Sequence, residues 1–328
     1  MINKFIVIYY LFLFCSVAIG LLGGVVGLVA ISRWRSGSSH EIRFELEKKL
    51  HLSASAIFIG TVLRLVMLPL WFLMLQSLIP VIPGAMCLGG VHQNVPFYSW
   101  LASSMKLVLP LFYFSWILIT VVDRKFVTQP FLRYRHIFLL PLVILILGEA
   151  FLDVKHLVSI KAVSVTCCTA IFDYNTGNIP EIFTESNWYF VIIFCAAFAI
   201  QTLLLLLPDK KATFALSLFN SAVLFFSLPL AIHTKLSPLI LEAPFHHCIF
   251  CLLQNNVSVL SGSFLLLAAI YLSFSYGLIG FAAIGEKTQQ KITSCLGRIK
   301  RLTLCVYCVG FILILIPVIN HLNLKGGV

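Results

Sequence analysis

The sequence predicts an all-α integral membrane protein, a polytopic bundle of about eight transmembrane helices. Hydrophobic residues make up 60% of the chain and charged residues 11%, whereas soluble domains carry about 25% charged residues. Mean hydropathy is +1.02. A spanning helix needs about 20 mostly apolar residues. Eight segments meet this requirement, at approximately 5–31, 56–82, 101–122, 137–158, 189–208, 212–233, 257–284 and 302–320.

The distribution of basic residues predicts how these helices are oriented. The first, third, fifth and seventh loops carry five, four, two and five lysines and arginines, whereas the even loops hold only Lys161 and Lys235. Because Lys and Arg accumulate in cytoplasmic loops, the odd loops are predicted to be cytoplasmic and both termini to lie outside. The expected setting is the lipid bilayer of a plasma or inner membrane, with residues 1–328 forming a single transmembrane domain.

The net charge of +11 does not indicate a nucleic-acid partner. The basic residues are spread over short loops between apolar segments, and no basic face with interleaved aromatic residues appears. Within the first of these loops, residues 38–52 are predicted to form a separate short helix on the cytoplasmic membrane surface, either as an ordinary amphipathic linker or as a docking surface for a partner subunit. Ser38 and Glu41 have the spacing of a capping box, and Leu46 and Leu50 fall near one face.

Cysteine and histidine residues are concentrated in three loops that are predicted to lie on the outer side. The first loop has Cys87 and His92, the second has Cys167 and Cys168, and the third has His246, His247, Cys248 and Cys251. Thiolates favour Cu(I), and cysteine with histidine also suits Zn(II). The sequence therefore predicts that these eight residues bind or transfer a Cu(I) or Zn(II) ion. The chain would act as a component of a transport system, beside a membrane, periplasmic or extracellular protein partner.

A thiol–disulfide oxidoreductase is the first alternative. Cys248-x-x-Cys251 precedes the seventh predicted span, where a neighbouring histidine and a helix N-terminus lower a thiol pKa. Cys167 or Cys168 would relay electrons, and a quinone would be the cofactor. This layout resembles that of quinone-linked membrane thiol oxidoreductases of the disulfide-bond-forming and vitamin K epoxide reductase type. Those are smaller helical bundles with an outward C-x-x-C, whereas the second cysteine pair of this chain is vicinal.

A non-catalytic scaffold subunit with structural disulfides is the second alternative. An extracytoplasmic compartment permits such disulfides, although five outer cysteines leave one unpaired. Haem is not expected as a cofactor. Leu252 follows Cys251, so the C-x-x-C-H attachment sequence is not present, and ligation by His156 and His233 at the outer span ends is a minor alternative.

Ionisable residues within predicted spans mark a further candidate site, since such residues are costly in a bilayer. Glu149, Asp153 and His156 have the spacing of one helical face, and Arg64 of the second span could pair with Glu149. Lys106 lies in the outer third of the third span. These side chains would form either a path for a cation or protons, or internal ion pairs that fix helix packing. No P-loop or phosphorylated-aspartate motif occurs, so any transport would need an energising partner.

Overall fold

The structure is a computed structural model that describes residues 3–33, 40–125, 138–161, 163–165, 188–243, 247–283 and 289–325. Within these ranges the regular structure is helical and no strand occurs. The α-helices are α1 (Lys4–Ser32), α2 (His40–Gln76), α3 (Leu88–Asn94), α4 (Pro96–Asp123), α5 (Leu139–Ser159), α6 (Tyr189–Leu206), α7 (Lys211–Ala231), α8 (Ser237–Ile240), α9 (Ile249–Asn255), α10 (Val257–Ala283) and α11 (Gln289–Lys325). A 3₁₀ turn at Ile79–Val81 follows α2, and a π-helical turn at Ile232–Leu236 follows α7.

Seven helices in the described part of the chain are long and apolar enough to cross a membrane, namely α1, α2, α4, α6, α7, α10 and α11. The predicted class, an all-α polytopic membrane protein, is confirmed. The remaining predicted span, at 137–158, corresponds to α5, which is also helical but carries Glu149, Asp153 and Lys155. A helix of its length measures about 30 Å, which matches the hydrocarbon core. Charge, not length, therefore distinguishes α5 from the other seven.

The separate helix predicted over 38–52 is not present. Helix α2 instead runs without a break from His40 to Gln76. No Pro or Gly separates Leu50 from Ala54, so nothing in the sequence ends the helix between the amphipathic turns and the apolar span. The buried side chains of Leu46 and Leu50 pack against Ala30 of α1.

The helices form two compact units. Unit 1 comprises Met1–Pro83 and Val91–Val163, and its long helices are α1, α2, α4 and α5. Ile57 of α2, Tyr113 and Trp116 of α4, and Ile146 of α5 belong to one buried cluster. Small residues let α1 and α2 approach closely, and the Ser53 hydroxyl donates a 2.6 Å hydrogen bond to a carbonyl oxygen of α1. Unit 1 is thus a bundle whose four long helices meet around a common interior.

Unit 2 comprises Gly84–Gly90 and Ser164–Val328. A neutral hydrogen-bond network ties its helices together. Asn220 of α7 donates to Gln201 of α6 at 2.9 Å, and the Ser221 hydroxyl lies 2.7 Å from that of Ser273 in α10, which is 3.0 Å from the Tyr307 hydroxyl of α11. Buried polar groups are costly unless they are paired. Because these groups are paired with one another, the network serves helix packing.

Gly280 of α10 marks a place where unit 2 is packed without spare room. A β-carbon at this position would collide with the ring of Phe214 in α7. We expect Gly280→Ala to lower the free energy of unfolding by about 1–3 kcal/mol, the usual cost of overpacking. The midpoint of thermal unfolding of the purified protein measures the effect. Gly297→Ala in α11 is the matched control, because a β-carbon there has nothing within 4 Å, and it should leave stability unchanged or raise it slightly.

Candidate metal centre

Three buried cysteines of unit 2 come together from two distant parts of the chain. Cys87 immediately precedes α3, Cys248 is the residue before α9, and Cys251 lies in the first turn of α9. Each offers a sulfur that lies within 4.8 Å of the other two. Their exposed fractions are 2%, 7% and 9%. We refer to Cys87, Cys248 and Cys251 as the cysteine triad; among the described residues it is the group of three ligands that is compact enough to hold a metal ion.

The backbone on both sides of the cysteine triad is held by hydrogen bonds. The Ser237 hydroxyl donates to the carbonyl oxygen of Cys248 at 3.0 Å, and the Asn255 side-chain amide donates to that of Cys251 at 2.9 Å. Leu241 and Phe250 pack against the sulfurs. These contacts fix the C-x-x-C turn in place and exclude water from it, so the thiols are arranged before any ligand binds.

Gly84 sets the path of the segment that carries Cys87. Its φ is +81°, in the left-handed region that glycine adopts readily. A β-carbon here would collide with the carbonyl oxygen of Val165. Gly89, on the other side of Cys87, is also close to the thiols, because a β-carbon there would lie 3.3 Å from the Cys87 sulfur and 3.7 Å from that of Cys248. Gly84 thus lets the segment pack directly against the backbone of Val165, and Gly89 lets it pack against the sulfurs of Cys87 and Cys248.

Hydrogen bonds within the cysteine triad shift the pKa values of Cys248 and Cys251. Hydrogen bonds from Cys251 and then Cys87 lower the pKa of the Cys248 thiol well below its usual range. The same sharing of protons, together with burial, raises the pKa of Cys251. The cysteine triad therefore favours a thiolate at Cys248. A thiolate is the form that binds metals.

The spacing of the sulfurs fits metal coordination. The sulfurs of Cys87 and Cys248 lie 3.8 Å apart. Two sulfurs that are each about 2.3 Å from a tetrahedral ion are separated by about 3.8 Å, and slightly more around a trigonal ion. A disulfide bond is about 2.05 Å long, so these two sulfurs are in contact without being bonded. The arrangement is compatible with coordination of a soft cation.

Two of the predicted histidine ligands, His92 and His247, do not belong to this group of three. The Nδ1 atom of His247 lies 3.1 Å from the carbonyl oxygen of His233. His92 belongs to unit 1, where its Nε2 atom lies 2.6 Å from the Ser103 hydroxyl and its ring contacts those of Trp100 and His156. The predicted ligands Cys167, Cys168 and His246 lie outside the described residues, and their participation stays a prediction.

Unit 1 contains a second cluster, made of two cations and two carboxylates in its interior. Lys106 of α4 contacts Glu149 at 2.5 Å and Asp153 at 2.7 Å. Arg64 of α2 lies 3.6 Å from Glu149 and 3.9 Å from Asp153. We call Arg64, Lys106, Glu149 and Asp153 the charge tetrad. All four side chains are at most 4% exposed, and their formal charges cancel.

Tyrosines complete the surroundings of the charge tetrad. Tyr9 of α1 donates a 2.7 Å hydrogen bond to Asp153, and Tyr113 of α4 donates a 2.6 Å hydrogen bond to Glu149. Neither tyrosine was among the predicted site residues. Tyr113 lies seven positions after Lys106, so helical spacing gave a signal for it, whereas nothing in the apolar sequence of α1 distinguished Tyr9. The Lys106 ammonium also lies 5.2 Å from the centre of the Trp71 ring, so aromatic faces add to its stabilisation.

Comparison with known proteins identifies no relative: no family model, curated protein or solved structure matches this chain. The fold and the site thus define it as a polytopic all-α membrane protein with a buried group of three cysteines that is compatible with metal binding.

Proposed function

We propose that this membrane protein binds Cu(I) through Cys87, Cys248 and Cys251, and that it holds or passes on the ion as one component of a transport system. The observation that carries the proposal is the convergence of three buried sulfurs from distant segments within 4.8 Å. Soft thiolate donors favour Cu(I), and Cu(I) accepts a trigonal set of sulfurs. Zn(II) is the second choice, because closed Zn(II) sites are almost always four-coordinate and the cysteine triad supplies three ligands.

Burial of the thiols also favours metal binding over redox exchange. A thiol–disulfide oxidoreductase must let a partner's sulfur reach its own, but Cys248 and Cys251 are less than a tenth exposed. Unpaired charge is costly in such surroundings, and a bound cation would offset the charge of the thiolates. The observation that supports the redox alternative is the contact between Cys87 and Cys248, since a third thiol lies beside the C-x-x-C pair and could exchange with it.

Copper stoichiometry in matched cysteine variants tests the proposal. The protein is purified under reducing, anaerobic conditions, equilibrated with chelator-buffered Cu(I) and assayed for metal and thiol content. We expect about one copper per chain, with affinity lower by at least about 100-fold in Cys87→Ser, Cys248→Ser or Cys251→Ser, since changing even an outer neighbour of a metal ligand costs 10–100-fold. X-ray absorption of the loaded protein should show sulfur as the nearest neighbour of the metal.

The chain supplies its own control, because Cys305 and Cys308 of α11 form a second C-x-x-C whose thiols are exposed. The variant Cys305→Ser/Cys308→Ser should retain full copper binding. Unchanged copper in all three triad variants would contradict the proposal. Absence of copper, together with a Cys248–Cys251 disulfide that a reduced quinone or a thiol partner reopens, would favour the oxidoreductase instead. The variant Cys167→Ser/Cys168→Ser tests the remaining predicted cysteine ligands in the same assay.

A further inference from the structure

His156 of α5 is an unexplained polar group in the interior of unit 1. Its exposed fraction is 0%, and neither of its ring nitrogens has a hydrogen-bond partner among the described residues. Buried polar side chains are nearly always hydrogen-bonded, so an exception calls for a functional or structural reason. The ring lies in contact with those of Trp71 and His92, at centroid distances of 5.3 Å and 6.5 Å.

Asp153 also has a buried oxygen atom without a hydrogen-bond partner among the described residues. Its Oδ2 atom accepts hydrogen bonds from Lys106 and Tyr9, at 2.7 Å each. Its Oδ1 atom is buried and has no partner among the residues that the structure describes. Asp153 and His156 are three positions apart on α5 and therefore share one face of the helix. A carboxylate oxygen with an unused lone pair thus lies on the same face as an imidazole with two unused nitrogens.

Polar groups continue from His156 toward the edge of unit 1. His92 contacts His156 through its ring, and its Nε2 atom lies 2.6 Å from the hydroxyl of Ser103. Ser103 is partly exposed, whereas His92, His156 and Asp153 are fully buried. The order Ser103, His92, His156, Asp153 therefore leads from a partly exposed hydroxyl to a fully buried carboxylate, through side chains that can all exchange protons.

The ligand that fits these atoms is a proton. The unused nitrogens of His156 and the Oδ1 atom of Asp153 have essentially no surface that a water molecule can touch, so no larger ligand can reach them without rearrangement. The charge tetrad is neutral when all four groups are ionised. If Asp153 were protonated at Oδ1, Lys106 would keep its contact with Glu149, and Oδ2 would still accept a hydrogen bond from Tyr9.

We propose that unit 1 contains a proton-binding site at Asp153, which His92 and His156 connect to the Ser103 side of the unit. Since neither His156 nitrogen has a hydrogen-bond partner among the described residues at rest, the ring must first turn toward Oδ1 of Asp153. One nitrogen then accepts a proton as the other releases one to Oδ1, so the ring ends neutral and the carboxylate becomes a carboxylic acid. No electrons are transferred. The ion pair between Asp153 and Lys106 becomes a hydrogen bond from the charged Lys106 ammonium to a neutral carboxylic acid. This proposal does not rest on metal binding by the cysteine triad.

Several titratable or charged groups surround this site, and each helix of unit 1 contributes some of them. They are Tyr9 and Tyr10 of α1, Arg64 of α2, His92 of α3, Lys106 and Tyr113 of α4, and Glu149 and His156 of α5. Glu149 is the competing acceptor. Both of its oxygens already have partners, since Lys106 donates to one and Tyr113 to the other, whereas Asp153 has one oxygen unused. This difference assigns the exchangeable proton to Asp153.

Infrared difference spectroscopy after a rapid pH change tests the site in reconstituted vesicles of the full-length protein. Lowering the pH from about 8 to about 5 should produce the carbonyl absorption of a carboxylic acid in the wild type but not in Asp153→Asn. Labelling the aspartates of the wild type with ¹³C should shift this absorption, which distinguishes aspartate from Glu149 even if Asp153→Asn fails to fold. His51→Gln, which changes an exposed histidine of α2, should leave both the amplitude and the rate unchanged.

The kinetics test the connecting histidines. We expect His156→Gln and His92→Gln to retain the amplitude of the signal but to slow its appearance by about 100-fold, the lower end of the contribution usual for a positioned proton-transfer group. Wild-type rates in both histidine variants would overturn the relay. A signal that persists in Asp153→Asn, that does not shift with labelled aspartate, or that does not appear in the wild type would overturn the assignment to Asp153.

Discussion

Replacing Lys106 with methionine is expected to lower the free energy of unfolding by about 3–5 kcal/mol, the largest effect of any single substitution considered. Lys106 is 4% exposed and contacts both carboxylates of the charge tetrad. Methionine keeps most of the side-chain volume but removes the charge. Glu149 and Asp153 would then share Arg64, whose nearest nitrogen is more than 3.5 Å from either carboxylate. The midpoint of thermal unfolding in detergent measures the loss.

A compensating double variant distinguishes the effect of lost charge balance on stability from the effect of altered packing. In Lys106→Met/Asp153→Asn the interior of unit 1 regains neutrality, because Arg64 and Glu149 remain as a pair. We expect this double variant to recover at least half of the lost stability. Lys155→Met, which removes an exposed lysine of the same membrane region, should change stability by no more than about 0.5 kcal/mol. Equal stability of Lys106→Met and the wild type would show that the charge tetrad contributes nothing to folding.

Replacing Gly84 with alanine is expected to destabilise the packed position of the segment that carries Cys87, so that its thiol is exposed more often. An L-residue pays about 1–2 kcal/mol in the left-handed conformation that Gly84 adopts. The added methyl group also collides with the backbone carbonyl oxygen of Val165. A backbone atom cannot move away from such a contact as the end of a flexible side chain could. Since 1.4 kcal/mol corresponds to a tenfold change in population, Cys87 should react with an alkylating reagent about ten times faster or more in this variant than in the wild type.

Mass spectrometry of the alkylated protein measures this rate at Cys87 without reference to any metal. Gly297→Ala is a suitable comparison because its β-carbon has nothing within 4 Å, and the reactivity of Cys87 should be unchanged in it. Copper affinity in Gly84→Ala should fall in parallel, if the cysteine triad binds the ion. An unchanged alkylation rate would mean that the path of the segment does not depend on glycine at this position.

The sequence predicted the helices well because the length of an apolar run is a local property that needs no knowledge of the partner helix. The same local reasoning was wrong for residues 38–52, where an amphipathic pattern was interpreted as a separate helix. The pattern correctly marked the buried positions Leu46 and Leu50, but it held no information on whether the backbone continues into the next span. Continuity was decided by the absence of a helix-breaking residue before Ala54.

The candidate site was predictable only in part. Cys87 and Cys248 are 161 positions apart, and they were expected to meet because both loops were predicted to lie on the outer side of the membrane. Spacing along the chain did not reveal which histidines would be near, because His92 follows Cys87 by five residues and yet makes its contacts with Ser103 and His156. The positive φ of Gly84 was not predictable either, because it follows from the presence of Val165, more than 80 residues away.

The carboxylates of α5 have a consequence for how the protein is made. A charged residue at the centre of a helix costs about 2.5–3.5 kcal/mol during insertion, so a helix with Glu149 and Asp153 enters lipid poorly by itself. Proteins assemble from the N-terminus during synthesis, and α2 and α4 precede α5 in the chain. Arg64 and Lys106 are therefore already available when the carboxylates emerge from the ribosome. Because α2 and α4 are synthesised first, the counter-charges of α5 are present before α5 is inserted into the bilayer.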